Sequence, residues 1–390
     1  AAMNLLKSCD ENSVIFTGGD NDTFPLWYAQ DAENCRTDVR VLVLSYCNTD
    51  WYIDQTTRRA NKSEPFRYTI PLSEYRQGGP NDVLPIVDAN IAKIDAQEYL
   101  RLLARQFKGL RSDDQNIVPS KVLSIKVDKD AIRRAGIVPA QMEHLIVDEM
   151  ELRLKGERLE KNDIVFIDML ISAEWKRPVY INPTSMSQLH IDLRPYAVLQ
   201  GNAYRILPVK NPRKDRDFLV DTEKTYDLMI NQFKYRGLDD PGIYYTDDYK
   251  MQVMNHRLNL NSLAEALIDK GEAEKAEEVL DFSLTKMPVN VITYDPSFPD
   301  SVDLLYRIGK NKKATTLARG AWKSAYESAV FQAREESQIT LDLRKNLFMM
   351  DSMQRSLYEN GEYEGARAME TNYEALIARL ERRISEGSMR

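Results

Sequence analysis

The stretch Val14-Ile15-Phe16-Thr17-Gly18-Gly19-Asp20-Asn21-Asp22-Thr23-Phe24-Pro25-Leu26-Trp27-Tyr28-Ala29-Gln30 decides the fold. Its β-branched and aromatic opening is a strand signal and the glycine pair a tight turn. The run that follows is a helix: proline is tolerated in a first helical turn, and Asp22 or Thr23 can cap the exposed amides. Strand, turn and helix in this order predict an open α/β sheet. Asp20, Asn21 and Asp22 then stand at the carboxyl end of a strand, where such sheets bind ligands.

Working outward, residues 39–44 form an apolar run continuous enough for a strand buried on both faces, and Asn48-Thr49-Asp50 opens a helix through Trp51 and Ile53. Two strand–turn–helix units predict a parallel sheet with crossover helices. Further on, the pattern predicts a strand over 66–70 and a long loop marked by Pro71, Gly78-Gly79-Pro80 and Pro85. A helix over 91–107, a strand over 122–127 and a short helix capped by Asp128 or Asp130 and ending at Gly136 come next. An apolar helix over 164–175 capped by Asn162-Asp163, a strand over 179–181 and a last strand over 204–209 complete the set. The expected first domain is therefore a Rossmann-like α/β domain with a mostly parallel sheet, residues 1–240.

After about residue 245 the strand signals cease. Leu260, Leu263, Ala264, Leu267, Ala276, Leu280 and Pro288 fall at the spacings of a tetratricopeptide repeat, which needs small residues where paired helices touch. The Gly271-to-Ala276 interval recurs at Gly309–Ala314 and Gly361–Ala366. This predicts three helical hairpins, with room for extra helix around 327–344, in a tetratricopeptide-like all-α domain over 241–390.

Composition narrows the function. A chain of 390 residues is long for one core and suggests two or three domains. It has no apolar run of about 18 residues that would span a bilayer. The opening Ala1-Ala2-Met3-Asn4-Leu5-Leu6-Lys7 reads as helix rather than as a signal peptide, and as the continuation of a longer chain. A net charge of −7 without any basic block excludes a nucleic-acid footprint. Cys9, Cys35 and Cys47 form no metal or disulfide pattern and are expected as buried thiols near one small sheet.

Asp20-Asn21-Asp22 has the acid-x-acid form by which some nucleotide-sugar glycosyltransferases hold a divalent metal, since hard cations take oxygen ligands. It lacks a third ligand and a phosphate-binding lysine, so no metal or cofactor is expected. Helix capping and turn formation explain the same residues, and a polar uncharged ligand such as a sugar is the alternative. Gly18-Gly19 is neither a dinucleotide nor a P-loop signature, and the acids would repel a phosphate at that helix start. His144, His190 and His256 share no ligand spacing and read as unrelated surface or core histidines. Asp192, Arg194 and Tyr196, on a loop after the 179–181 strand, are candidates for a polar pocket near the sheet edge. The aromatics Trp27, Tyr28, Tyr46, Trp51 and Tyr52 can stack on sugar rings, but at helical spacing they read first as core. The ligand-binding candidates are thus Asp20, Asn21, Asp22, Thr23, Trp51, Asp54, Asp192 and Arg194, and no residue is expected to be catalytic.

Residues 16–28, Arg36-Thr37-Asp38-Val39-Arg40-Val41, Asn48-Thr49-Asp50-Trp51-Tyr52-Ile53-Asp54-Gln55 and Gly201-Asn202-Ala203-Tyr204-Arg205-Ile206-Leu207-Pro208-Val209 together resemble one family. It is the soluble C-terminal region of bacterial multi-pass membrane proteins, a domain of unknown function similar to transmembrane protein O-mannosyltransferases of the lipid-donor GT-C type. The resemblance covers most of residues 1–240. It implies that the catalytic carboxylates lie in a membrane half outside this chain, so this chain alone is inactive while its parent is a glycosyltransferase. It also implies a periplasmic position on the inner membrane and a role in acceptor or partner binding. The expected partners are the protein's own membrane half, a protein or peptide on the repeats, and a sugar. Two readings stand against it: a soluble metal-dependent nucleotide-sugar enzyme using Asp20 and Asp22, and a pure interaction scaffold.

Overall fold

The computed structural model describes residues 1–87, 89–335 and 340–387. The chain divides into two compact units, Ala1–Phe233 and Lys234–Arg390. The division falls ahead of the expected 240/241 boundary. The first unit is α/β and the second all-helical, which is the fold class the sequence predicts.

The first unit opens with helix α1 (Ala2–Ser8), strand β1 (Val14–Thr17), helix α2 (Asp20–Asp31), strand β2 (Arg40–Val43) and helix α3 (Asp50–Thr56). Strands β1 and β2 pair in parallel, Val14 beside Arg40 and Thr17 beside Val43. Every residue of both strands is buried. The period of two divides them between two layers. Ile15 and Val41 pack with Leu6, Leu26 and Ala29, whereas Val14, Phe16 and Leu42 face the larger core with Phe166.

The middle of the unit builds a second sheet. It contains the short strands β3 (Val83–Pro85) and β4 (Ile94–Asp95), helix α4 (Ala96–Ala104) and the small hairpin β5 (Arg111–Ser112) and β6 (Gln115–Asn116). Strand β7 (Val122–Lys126), helix α5 (Lys129–Arg134), strand β8 (Glu149–Leu154), strand β9 (Arg158–Glu160) and helix α6 (Lys161–Ser172) follow. The chain then returns through β10 (Val179–Ile181), the short helix α7 (Pro183–Met186), β11 (Ile191–Asp192), β12 (Ala197–Gln200), β13 (Ala203–Ile206), β14 (Leu219–Val220) and helix α8 (Thr222–Tyr226). The main sheet has the order β14-β12-β13-β10-β1-β2, and a four-stranded sheet has the order β11-β8-β7-β4. The main sheet is mixed: β1 is parallel to both β2 and β10, while β13 runs antiparallel to β10 and β12.

Several local expectations are corrected, each by a contact from elsewhere in the chain. Residues 66–70 are not a strand. The amides of Thr69 and Ile70 donate to the buried carboxylate of Asp168 at 2.8 and 3.0 Å, and the Tyr75 hydroxyl joins them at 3.0 Å. The expected helix over 91–107 begins only at Ala96, because Ile94 and Asp95 pair with Leu123 and Ser124 as an edge strand. Asp95 then caps α4 by accepting the Glu98 amide at 2.9 Å. Helix α6 starts at Lys161 rather than being capped by Asn162-Asp163, because β9 runs straight into it. Asp163 instead reaches back to the Glu160 amide at 2.8 Å. The last expected strand ends at Ile206, with β14 beyond it. Cys9 and Cys47 are buried free thiols, pushed up to about 12 by burial, but Cys35 is only half-buried.

The second unit consists of α9 (Asp247–Asp269), α10 (Ala273–Lys286), α11 (Phe298–Arg307), α12 (Asn311–Glu335), α13 (Leu341–Glu359) and α14 (Tyr363–Gly387). They form three consecutive pairs turning at Gly271, Gly309 and Gly361, all at positive φ (81°, 75° and 86°). Such turns use glycine because a Cβ disfavours that region. Ala276, Ala314 and Ala366, each five residues on, are buried. Of the stretch expected to hold extra helix, residues 336–339 lie outside the described residues. The described part is the end of α12 and the start of α13.

Candidate functional site

Strand β1 leads through α2 to β2 on one side, and β10 arrives much later on its other side. Such a reversal of strand order opens a crevice at the strands' carboxyl ends. Gly18-Gly19 and the start of α2, Leu44 to Asp50, and Asn182 to Gln188 follow the three strand ends.

Asp20, Asn21 and Asp22 form the first turn of α2 and do not precede it. Its N-cap is Gly19, in extended conformation and with no side-chain cap. This corrects the expected capping by Asp22 or Thr23. Thr23 is buried, and its hydroxyl donates to the Gly19 carbonyl at 2.7 Å and lies 2.6 Å from the Thr17 hydroxyl. Thr17 in turn donates to the Leu42 carbonyl at 3.0 Å, which joins the turn to β2. Asp22 accepts a hydrogen bond from the Thr184 hydroxyl. Asn182 holds the Thr184 amide at 3.1 Å as the cap of α7. The Asp20 and Asn21 side chains are exposed. A Cβ at Gly18 would meet Ser185 Oγ at 3.2 Å and displace the end of the exposed Gln188 side chain, so the turn runs close to α7.

At the neighbouring strand end, Trp51 is 57% exposed. It packs edge-on against Tyr52, with Tyr46 at 6.2 Å. Of the five aromatics expected as core, only Tyr52 is fully buried, while Tyr28 and Trp51 are exposed and Trp27 and Tyr46 half-buried. Asp54 ion-pairs with Arg58 one turn on. Asp50 accepts the Gln77 amide at 3.2 Å and the Trp51 amide at 2.7 Å, and these bonds, Gln77 first, hold its carboxyl below the usual range. Among the described residues no group of three or more His, Cys, Asp or Glu side chains is placed to hold a metal ion.

The start of α6 brings in residues that spacing did not single out. The Asn162 amide donates to Asn48 Oδ1 at 2.9 Å. Lys161 is fully buried, with its ammonium 2.5 Å from Asp82 Oδ1. Asp163, also buried, accepts the His190 amide at 2.8 Å and lies 2.8 Å from His190 Nδ1. Burial raises the Asp163 carboxyl despite these bonds. A carboxylate orienting an imidazole is half of a nucleophile-activating set, but no hydroxyl or thiol is hydrogen-bonded to His190 among the described residues. The pair joins residues 27 positions apart, so no short-range motif announces it. His256 is buried in the second unit and pushed down to about 3 by burial.

Asp192 belongs to the other sheet, and Arg194 stands in the short turn that follows it. Asp192 lies on the edge strand β11 and not on a loop as expected. Arg194 grips its carboxylate with two bonds, of 2.8 and 3.1 Å, which hold the carboxyl below its usual range. Asp20, Asn21, Asp22 and Trp51 thus follow adjacent strand ends, Asp54 lies one turn into α3, and Asp192 lies on a separate sheet with Arg194 in the turn just beyond it.

The family model for TMEM260-associated domain 2 matches residues 1–224. The chain belongs to the TMEM260-associated domain 2 family. The match takes in both sheets and ends within α8, so the family is defined by the α/β unit and not by the helical hairpins. No curated protein and no solved structure matches the chain.

Proposed function

We propose that this TMEM260-associated domain 2 protein is the soluble accessory region of a membrane-anchored glycosyltransferase of the lipid-donor GT-C kind. It stands on the periplasmic side of the inner membrane, and chemistry takes place in a membrane half. The observation that carries the reading is the family match over residues 1–224. The strand-end geometry agrees with recognition rather than catalysis. Asp22 is bonded to Thr184 and Asp54 to Arg58, and exposed Trp51 with exposed Asp20 and Asn21 suits a sugar or glycosylated acceptor. The helical hairpins offer a surface for a protein or peptide partner, as stacked helical repeats do. No helix among the described residues is long and apolar enough to cross a membrane, so in this reading the anchor is supplied by another part of the protein.

The test has two arms. The isolated chain, given nucleotide sugars or lipid-linked sugars with acceptor peptides, yields no product. The membrane-embedded parent carrying Trp51→Ala with Asp20→Ala keeps lipid-donor binding but loses acceptor affinity. Turnover by the isolated chain that vanishes in Asp20→Ala would replace this reading with a free-standing metal-dependent enzyme.

A further inference from the structure

We propose that the depression beside Tyr196, at the β8–β11 edge of the four-stranded sheet, binds a phosphoryl group. It is a shallow depression open to solvent, lined by Glu151, Arg153, Asp192, Pro195, Tyr196 and Lys210. The proposal rests on which of these charges are already engaged, and it stands independently of the glycosyltransferase reading.

The two acids are engaged. Glu151 shares the Lys93 ammonium, at 3.4 Å, with Glu149, which Lys93 approaches more closely, and Asp192 is held by the two-bonded fork of Arg194. The two cations are free. Arg153 stands directly across from Asp192 in the antiparallel register of β8 and β11, the natural position for an ion pair. Arg194 occupies that carboxylate instead. Neither Arg153 nor Lys210 has a side-chain hydrogen bond or ion pair to any described residue. Lys155, two positions along from Arg153 and also exposed, adds a further positive charge acting on Asp192.

Tyr196 supplies the third donor. The residue is 2% exposed and its oxygen accepts the Glu151 amide at 2.7 Å. Its own hydrogen has no acceptor among the described residues. The walls are held by backbone: the Lys210 amide donates to the Leu145 carbonyl at 3.1 Å, and the Asn211 amide to the Pro195 carbonyl at 2.9 Å. Arg153, Tyr196 and Lys210 thus line one depression from three separate chain segments.

That donor set favours a tetrahedral anion over a planar one. A carboxylate satisfies an arginine fork and leaves the lysine and tyrosine without oxygens. A phosphoryl group offers three or more oxygens and enough charge for two cations. The shared chemistry is phosphate; its source is either a soluble phosphate ester or a lipid headgroup.

The test titrates the whole 390-residue chain with inorganic phosphate at low, fixed ionic strength, followed by calorimetry and by amide NMR shifts. Saturable binding is expected, with shifts at Glu151, Tyr196 and Lys210. Arg153→Gln and Lys210→Gln should each weaken it about threefold and together about tenfold, because each removes one charge-assisted contact. Both side chains are exposed, so the melting temperature should stay unchanged. Acetate should not compete. The absence of saturable phosphate binding, equal affinity in the double variant, or acetate binding as tightly as phosphate would each overturn the proposal. A parallel sedimentation with phosphatidylglycerol and phosphatidylcholine vesicles separates the sources. Retention by the former alone, lost in the double variant, assigns a lipid headgroup, and phosphate binding without vesicle retention assigns a soluble ester.

Discussion

The Asp22 carboxylate accepts a hydrogen bond from the Thr184 hydroxyl across 162 positions of sequence. The two residues stand just past β1 and β10, the parallel pair at which strand order reverses. Asp22 therefore ties two strand ends together from within the first turn of its helix, where a negative charge is also favoured by the helix dipole.

Asp22→Ala should lower stability by about 1 kcal/mol, the usual worth of a partly exposed charge-assisted bond together with a first-turn acid. Asp22→Asn should cost less, since an amide oxygen still accepts from Thr184. Asp20→Ala, in the same turn but exposed, should change stability by less than about 0.5 kcal/mol. Urea midpoints at constant slope measure all three. A loss in Asp20→Ala equal to that in Asp22→Ala would show that the turn, and not the Thr184 bond, carries the effect.

Among the described residues Arg257 is the largest fully buried side chain. It ion-pairs with Asp295, donates to the Met287 and Ile292 carbonyls at 2.6 and 3.0 Å, and lies 4.6 Å over the Phe298 ring. Asp295→Ala leaves that guanidinium buried without its counter-charge and should cost about 3–5 kcal/mol. Arg257→Met should cost less than Asp295→Ala, because it removes the charge along with its need for a partner. Thermal unfolding of the two variants checks the order, and the reverse order would contradict it.

Asp300 gives the helical unit a pH dependence. Desolvation, then Asp303, then Glu265 push its carboxyl up to about 6 from an ordinary 3.8. The folded chain thus binds an extra proton between about pH 4 and pH 6. Its contribution to stability is complete below about pH 4 and is lost as pH rises through 6. Asp300→Asn should stabilise the chain at about pH 7.5 by up to about 1 kcal/mol, a figure reduced for the exposure of the side chain, and should give no gain near pH 4. Paired urea titrations at the two pH values test the sign.

Gly271 turns the first hairpin at φ 81°, with open space where a Cβ would stand. Gly271→Ala should therefore cost about 1 kcal/mol through backbone strain alone. Gly320 is the opposite case. It lies inside α12 in a region open to any residue, but its Cβ would strike the Tyr294 hydroxyl. Gly320→Ala alone should destabilise, and Gly320→Ala in a Tyr294→Phe background should recover part of the loss. Melting temperatures of the three variants decide it.

The sequence by itself determined what depends on near neighbours. Strands β1, β2, β7 and β10 follow from runs of β-branched residues whose period needs only a few positions to read. The three hairpin turns follow from glycines whose left-handed backbone no other residue adopts as cheaply. Asp128 as the cap of α5 was legible for the same reason, its 2.9 Å bond reaching only to Ala131. The placement of the acids after β1 and of Trp51 after β2, at adjacent strand ends, was legible too. The tertiary structure alone decided what depends on distant partners. Asp168 draws the 66–70 backbone away from any strand from 98 and 99 positions off. Thr184 gives Asp22 a tie between strands in place of a cap. Asp163 meets His190, and Arg153 and Lys210 come to share one depression, only because separate elements pack there. A carboxylate or guanidinium satisfies whichever donor or acceptor the fold brings within about 3 Å, and sequence separation does not record that distance.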